Sequence, residues 1–322
     1  MTPFTPRRRT LIGLLAAIGL SIALPGLATA ADKPDPLRIG YQKYGTLVLL
    51  KARGTLEKRL APLGIEVKWA EFPAGPQLLE GLNVGSVDFG TTGETPPIFA
   101  QAAGADLLYI ATEPPAPAGE GIVVPRDSAI HSVKELKGKK VALNKGSNVH
   151  YLLVRALEKA GLKYSDITPV YLPPADARAA FERGSVDAWA IWDPFYAAAE
   201  KQTGARRIAD GRGGVVDNNQ FYLSSGSYAK KNPAVIKAVI EELARLDAWS
   251  KTHLDEVADV LSAQIGLDKS IVQLAANRAS YGVKPLDGKI IAGQQRIADT
   301  FYQLKLIPKK LVVRDIVWQA PK

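Results

Sequence analysis

Short apolar runs alternate with stretches of helical period between residues 37 and 224, and this alternation restricts the fold more than any other feature of the sequence. The clearest helical stretch carries apolar residues at Val149, Leu152, Leu153, Ala156 and Leu157, and ends before a glycine. Strands that alternate with helices form βαβ units, so we expect an α/β protein with mainly parallel sheets flanked by helices. The predicted strands are 37–42, 67–72, 87–91, 107–111, 121–124, 140–144, 169–172, 186–192, 207–209 and 220–224.

Two Pro- and Gly-rich breaks suggest a division into two lobes. Residues 113–119 precede the extended run 121–124, and residues 210–214 precede the run 220–224. We interpret these runs as a two-strand hinge between lobe I, residues 32–119 plus 222–322, and lobe II, residues 120–221. Lobe I would end in long helices, Pro233–His253 and Asp255–Ile265. A cleft between two such lobes is the natural place for a ligand.

Residues 1–30 have the pattern of a secretory signal peptide. Three arginines, Arg7–Arg9, precede an apolar run from Leu11 to Leu24, and Ala28-Thr29-Ala30 fits a cleavage site before Ala31. The run is shorter than the ~20 residues that span a bilayer, which favours cleavage over a retained anchor. The arginine pair also fits twin-arginine export, so that route and the general secretory route both stay open. We expect a soluble, exported protein, as in a bacterial periplasm.

Composition excludes several classes of site and function. The chain has no cysteine and its single methionine is Met1, so thiol chemistry and disulfides are excluded and the exported chain would contain no sulfur. Selection under sulfur scarcity and simple drift both explain that absence. The formal net charge is +9, but no basic run suggests a nucleic-acid partner. No phosphate loop, zinc-protease or EF-hand motif occurs, so we expect no metal and no cofactor.

Candidate binding residues lie where strands end and helices begin. Three such joints, 41–46, 90–97 and 144–150, are rich in Gly, Thr, Ser and Asn, and the second and third begin helices near Pro96 and Ser147. Exposed N–H groups and the helix dipole make each joint a potential anion site. A fourth joint, 188–195, predicts that Asp193 caps a helix. Because neighbouring strand residues point to opposite faces, we expect Trp189 in the core and Trp192 on the cleft.

A catalytic role is not indicated by the histidines. Ser147 and His150 are three residues apart, but an N-cap serine points its oxygen at backbone N–H groups, and no G-x-S-x-G elbow is present. We therefore expect structural or solvent-facing histidines and no enzyme activity.

Four long blocks resemble one known family. They are IGYQKYGTLVLLKARGTLEKRL, EFPAGPQLLEGLNVGSVDFGTTGETPPIFAQAAG, KGKKVALNKGSNVHYLLVRALEKAGL and PADARAAFERGSVDAWAIWDPFYAAAE. These blocks closely resemble the periplasmic aliphatic-sulfonate-binding proteins of ABC importers, within a group that also includes taurine- and nitrate-binding proteins. The resemblance extends through nearly all of residues 37–320.

The resemblance implies a two-lobed, type II periplasmic-binding-protein fold that captures an alkanesulfonate and delivers it to a membrane permease with a cytoplasmic ATPase. We also expect a monomer, and the absence of sulfur from the exported chain favours a role in sulfur acquisition. Taurine, nitrate or another small organic anion remains an alternative ligand, and related folds include pyrimidine-synthesis enzymes that consume a histidine. Carried onto matching positions, the ligand-binding residues would be Gln42, Thr46, Thr92, Gly93, Glu94, Ser147, Asn148, Trp192 and Asp193.

A sulfonate head group needs several hydrogen-bond donors and no acid or base. We expect backbone N–H groups, hydroxyls and the Gln42 amide to supply them, with the organic tail against Trp192 and Tyr44. Two acids, Glu94 and Asp193, are unexpected beside an anion. They would cap their own helices or hold the amine of a zwitterionic ligand such as taurine.

Overall fold

The computed structural model of the protein describes residues 34–320, so the predicted signal peptide lies outside the described residues. The strands are β1 (Leu37–Tyr41), β2 (Val67–Glu71), β3 (Phe89–Gly93), β4 (Leu108–Thr112), β5 (Glu120–Val124), β6 (Lys140–Leu143), β7 (Thr168–Tyr171), β8 (Ala188–Trp192), β9 (Arg206–Asp210) and β10 (Gln220–Ser224). The helices are α1 (Thr46–Arg53), α2 (Thr55–Leu60), α3 (Gly75–Asn83), α4 (Pro96–Ala102), α5 (Asn148–Lys159), α6 (Pro174–Glu182), α7 (Phe195–Thr203), α8 (Gly226–Lys231), α9 (Pro233–Ser250), α10 (Leu254–Ile265), α11 (Lys269–Arg278) and α12 (Gly288–Gln303). Short 3₁₀ helices occupy Ala61–Leu63, Pro117–Gly119, Val133–Leu136, Tyr164–Asp166 and Val313–Ile316.

The strands form two five-stranded sheets, and helices flank both. The first sheet has the order β2-β1-β3-β10-β4 and the second has the order β7-β6-β8-β5-β9. In each sheet four strands run in one direction, and the fifth, β10 or β5, is antiparallel to both of its neighbours. The predicted α/β class is confirmed, and the antiparallel strand makes each sheet mixed.

The antiparallel strands are those that follow a passage of the chain from one sheet to the other. Residues 113–119, the first crossing, connect β4 of the first sheet to β5 of the second, and residues 211–219, the second crossing, connect β9 to β10. A strand that arrives from the other sheet comes without the helical crossover that keeps neighbouring strands parallel. The two crossings lie side by side, and the Ala116 N–H donates to the Asp217 carbonyl at 3.1 Å.

Apolar side chains fill both faces of the first sheet and the interior of the second. On one face of the first sheet, Ile39 and Tyr222 lie in a cluster with residues of α1, α9 and α10. On its other face, Tyr109 and Phe221 cluster with residues of α3, α4 and α12. The second sheet packs on α5, α6 and α7, and Trp189 is fully buried there as predicted. Burial on both faces explains why a central strand such as β8, AWAIW, is a continuous apolar run.

Candidate ligand-binding cleft

A cleft with about 770 Å³ of space between protein atoms, part of it open to solvent, lies where the two sheets and the two crossings meet. Its walls come from the β1–α1 loop, the first turns of α1 and α5, the end of β8, both crossings, and α10 and α11. The lining residues are Lys43, Tyr44, Gly45, Thr46, Glu113, Ala116, Gly119, Asn148, Trp192, Asp193, Pro194, Asn218, Gln220, Leu261, Ile265, Val272, Ala275, Ala276, Ala279, Ser280 and Tyr281.

Two helix N-termini, one associated with each sheet, border this cleft. Helix α1 begins at Thr46 after Gly45, which has φ +79°, a left-handed conformation that glycine adopts without strain. Helix α5 begins at Asn148. The first N–H groups of a helix have no intrahelical acceptor, and the helix dipole adds partial positive charge there. The cleft therefore offers uncharged donors suited to an anion from both sides.

Thr46 lines the cleft, but its hydroxyl is used within the protein. Thr46 Oγ1 donates to Asp247 Oδ1 at 2.7 Å and lies 3.4 Å from Glu113 Oε1. Because a hydroxyl carries one hydrogen, the shorter contact takes it. Thr46 thus presents backbone to the cleft, and the expectation of a free hydroxyl donor is wrong.

Gln42 lies behind the cleft surface. It is 3% exposed, and its Nε2 donates to the Thr91 carbonyl at 3.0 Å and to Tyr44 Oη at 3.3 Å. Tyr44 in turn donates from its hydroxyl to Gln220 Oε1 at 2.9 Å. Gln42 therefore positions Tyr44, which lines the cleft, and is not itself in the lining.

The loop of Thr92, Gly93 and Glu94 is buried and also lies outside the lining. Thr92 Oγ1 donates to the carbonyl of Gly93 at 3.0 Å, and Glu94 Oε2 accepts the N–H of Asn219 at 3.0 Å. A Cβ atom at Gly93 would come within 2.8 Å of the Asn148 side chain. Glycine here allows the end of β3 to approach the start of α5, so the loop supports Asn148 from behind.

At the start of α5, Ser147 and Asn148 face different partners. Ser147 occupies the predicted N-cap position, but Oγ donates to the Asn144 carbonyl at 2.7 Å and makes no cap hydrogen bond. Asn148 lines the cleft, and its Nδ2 donates to Glu120 and, at 3.1 Å, to Asn218 Oδ1. Asn148 thereby links α5 to the start of β5 and to the second crossing.

Trp192 and Asp193 lie together at the end of β8 and line the cleft. The Trp192 ring is buried to 6% exposure and makes an edge contact with Phe195. Asp193 Oδ1 accepts the N–H of Ala197 in the first turn of α7 at 2.9 Å, although Pro194 and not Asp193 occupies the N-cap position, and it lies 3.4 Å from Arg278. Burial raises the pKa of Asp193 to about 7, an effect that the Arg278 charge opposes.

The prediction from sequence missed two parts of the cleft. Glu113, in the first crossing, lines it, and burial together with the nearby Asp247 raises the Glu113 pKa to about 8. The other part is an apolar wall formed by α10, α11 and the residues that follow α11. The helical spacing of small and aliphatic residues in this part of the sequence could have indicated it. That wall consists of Leu261, Ile265, Val272, Ala275, Ala276, Ala279 and Tyr281.

His150 lies away from the cleft lining, in an aromatic cluster that includes Phe99, Tyr164 and Phe301. Its side chain is fully buried, and its Nδ1 accepts the N–H of Gly146 at 3.2 Å. Burial lowers the His150 pKa to about 3, so the ring is neutral. The proximity of Ser147 and His150 in sequence therefore reflects packing.

Among residues 34–320, no group of three or more His, Asp or Glu side chains is arranged to hold a metal ion. Within the same range, no helix has both the length and the apolar character that crossing a membrane requires.

Comparisons with known proteins place this chain in a family. Residues 61–253 match the NMT1/THI5 like family. An aliphatic sulfonates-binding relative from Escherichia coli (strain K12) is 48% identical over 316 residues, 97% of each chain. The alkanesulfonate-binding protein SsuA from Xanthomonas axonopodis pv. citri, solved with bound MOPS, is 46% identical with a TM-score of 0.85, over 90% of this chain and 100% of that one.

The periplasmic aliphatic sulphonate binding protein SsuA from Escherichia coli gives 48% identity and a TM-score of 0.80, over 90% of this chain and 94% of that one. The desulfurization enzyme DSZB, at 18% identity and a TM-score of 0.65 over 88% and 96% of the two chains, shares the fold alone. The relatives of high identity are binding proteins. The chain therefore belongs to the NMT1/THI5-like family and, with these relatives, to the aliphatic-sulfonate-binding proteins.

Proposed function

We propose that this protein is an exported substrate-binding protein that captures an aliphatic sulfonate between its two lobes and delivers it unchanged to an ABC permease. The observation that carries the proposal is that the cleft lining combines N–H donors with an apolar wall. The N-termini of α1 and α5 offer the donors, and α10 and α11 contribute aliphatic side chains to the same lining. An alkanesulfonate has the same two parts.

The head group would be held by hydrogen bonds and the tail by burial of apolar surface. Hydrogen bonds to a charged partner contribute about 1.5–3 kcal/mol each, so a few N–H donors suffice without a buried cation. The one cation in the lining, Lys43, lies 3.7 Å from Glu71 and is partly exposed. Each methylene buried against the wall would add about 0.8 kcal/mol.

We propose that ligand binding favours the arrangement in which the two lobes meet. Lobe I would comprise residues 32–119 plus 222–322, and lobe II residues 120–221. The sequence suggested the runs 121–124 and 220–224 as the hinge; these runs are strands β5 and β10 within the two sheets, and we place the hinge in the two crossings that precede them. The lining comes from both lobes, so a bound ligand contacts both and stabilises the closed state by its differential affinity. A closed, liganded monomer would then dock on the permease with its ATPase.

We also propose that the protein is exported to the periplasm and prefers alkanesulfonates to other small anions. Residues 1–30 would direct the chain to the periplasm and be removed there, by the general or the twin-arginine route. The aliphatic wall favours alkanesulfonates over nitrate, which has no organic part, and over taurine, whose chain ends in an ammonium.

A ligand panel tests the proposal directly. Purified protein is titrated by calorimetry and by thermal shift with 1-butanesulfonate, taurine, nitrate and sulfate, in buffers without sulfonate groups. A sulfonate at 100 times its Kd is expected to stabilise the fold by ~2.7 kcal/mol. The proposal fails if 1-butanesulfonate gives no heat and no shift, or if the protein converts it to a product.

A further inference from the structure

Glu113 has an unusual environment for a carboxyl group in an anion-binding cleft. It follows β4 in the first crossing, is 8% exposed, and lines the cleft. Its Oε1 accepts a hydrogen bond from the hydroxyl of Tyr222, which is fully buried in β10. The Thr46 hydroxyl is at 3.4 Å and donates preferentially to Asp247. Within residues 34–320, Oε2 of Glu113 makes no hydrogen bond and is not fully enclosed.

Asp247 in α9 is the negatively charged neighbour of Glu113 and is better stabilised. It accepts three hydrogen bonds, from Thr46 Oγ1 at 2.7 Å and from the N–H groups of Gly282 and Val283 at 2.9 and 2.8 Å. Hydrogen bonds to a carboxylate favour its charged form, whereas burial beside a like charge favours the neutral form. Burial raises the pKa of Asp247 as well, but its three hydrogen bonds oppose that effect. With more hydrogen bonds to its carboxylate, Asp247 is the better placed of the two to hold the negative charge, and Glu113 to hold the proton.

The groups that face Glu113 from other elements do not offset this arrangement. Tyr222 in β10, Tyr44 before α1 and Tyr281 after α11 are neutral phenols whose pKa values are raised, first by burial and next by the Glu113 charge. The pKa of Glu113 itself is raised to about 8 by burial first and by Asp247 second. Because Oε1 accepts from Tyr222, the proton belongs on Oε2, on the cleft side.

We infer that Glu113, as a neutral carboxylic acid, donates a hydrogen bond from Oε2 to the anionic head group of the bound ligand. The inference rests on the proposed function and deepens it, because it makes ligand binding dependent on a proton at this position. A deprotonated Glu113 would place a negative charge against the anion and lose the donor. A neutral Glu113 would thus favour anionic ligands. An ionised Glu113 would instead favour a ligand that carries an ammonium group.

The experiment measures the Kd of 1-butanesulfonate by calorimetry between pH 6 and pH 9.5, in bis-Tris and Tris buffers. For the native protein we expect a nearly constant Kd below pH 7 and about thirtyfold weaker binding at pH 9.5, because one proton must be restored to Glu113, whose pKa is about 8. Calorimetry near pH 8.5 in two buffers of different ionisation enthalpy should also show proton uptake on binding. This measurement needs no variant.

Glu113→Gln keeps an N–H donor and an acceptor for Tyr222 at every pH. We expect its Kd to change less than twofold over the same range, and its proton uptake near pH 8.5 to disappear. Asp193→Asn is the matched control, since Asp193 is the other carboxyl group of the lining. It should retain the native decline above pH 8, whatever its affinity at neutral pH.

The outcomes separate this inference from the proposed function. If 1-butanesulfonate binds equally well from pH 6 to pH 9.5, or if Glu113→Gln retains the decline, the inference is overturned and the proposed function stands. If binding instead strengthens with pH, or taurine alone loses affinity in Glu113→Gln, Glu113 acts as a carboxylate toward a cation. If no sulfonate binds at any pH, the proposed function fails first.

Discussion

Trp192 and Trp189 show how two identical residues in one strand receive different roles. Both side chains are buried, but Trp189 packs in the core beside Phe181, whereas Trp192 lies at the carboxyl end of β8 and contributes to the cleft lining. Ligands bind at the strand ends of α/β sheets, so the later residue is the one that a tail can reach. Aromatic rings supply large apolar area at such sites.

Trp192→Ala should weaken long-chain sulfonates more than short ones. Losing contact with about two methylenes costs ~1.6 kcal/mol, so the Kd of 1-hexanesulfonate should rise about tenfold while that of ethanesulfonate changes little. Calorimetry with both ligands measures the difference, and a melting curve checks that the variant is folded. Trp189→Phe is the matched control: it should lower stability without altering the dependence on chain length. Equal losses for both ligands would remove Trp192 from the tail site.

At the residue scale the sequence located the cleft more accurately than it assigned individual contacts. Thr46, Asn148, Trp192 and Asp193 line the cleft. Gln42 does not line the cleft. A predicted strand end gives the position of the backbone, but the hydrogen-bond partner of a side chain there depends on residues distant in sequence, such as Thr91 for Gln42. The role of Glu113 could not be predicted from the sequence, because its hydrogen-bond donor Tyr222 comes 109 positions later in the chain.

At the scale of elements, α11 joins two parts of the molecule beside the first crossing. Val272 and Ala276 of this helix belong to the core of the first sheet, while Ile271 packs against Ala197 and Ala198 of α7, beside the second sheet. At the end of α11, Arg278 reaches the same region. It lies 2.6 Å from Glu200 and 3.4 Å from Asp193, with its guanidinium 4.3 Å from the centre of the Tyr196 ring.

Arg278→Met should weaken ligand binding although Arg278 is not part of the cleft lining. The change leaves the largely buried carboxyl groups of Asp193 and Glu200 without their cation. This raises the free energy of the closed state, in which α11 and α7 are in contact. We expect about a tenfold higher Kd, equivalent to ~1.4 kcal/mol, and a larger radius of gyration by X-ray scattering at saturating ligand. The control is Arg155→Met, which removes an exposed i,i+3 pair with Glu158 and should change neither quantity. Normal affinity in Arg278→Met would exclude a role for this contact in closure.

The elements themselves were largely predictable. All ten predicted strands are present, with ends that differ by about one or two residues, because each is a short apolar run between turn residues. The long helix predicted as Pro233–His253 ends at Ser250, since His253 Nδ1 lies 2.8 Å from the Trp249 carbonyl and the chain turns there. The pairing of α11 with α7 could not be read from either helix, because it depends on how the chain returns to the first sheet.

At the scale of the whole molecule, buried carboxyl groups concentrate around the cleft and the crossings. Glu94 and Glu120 lie at 1% and 0% exposure near the start of α5, and each has one buried carboxyl oxygen without a partner among the described residues. Burial raises the pKa of Glu94 to about 7 and that of Glu120 well above its ordinary value, and the Glu94 charge adds to the effect on Glu120. With Glu113 and Asp193, the folded protein therefore retains protons that the unfolded chain releases.

The free energy of unfolding should consequently fall as pH rises from 6.5 to 8.5. A carboxyl group whose pKa is raised from 4.5 to about 7, as in Glu94, stabilises the fold fully below pH 4.5 and loses that contribution as pH passes 7. The buried His150, with its pKa lowered from 6.5 to about 3, acts in the opposite sense, but only below pH 6.5. Urea unfolding at several pH values measures the slope, which cannot exceed about 1.4 kcal/mol per pH unit for each retained proton. Glu94→Gln should reduce this slope. The control Glu66→Gln, at an exposed carboxyl group, should leave the slope unchanged. A free energy of unfolding that increases over this pH range would show that the buried carboxyl groups are ionised in the folded protein.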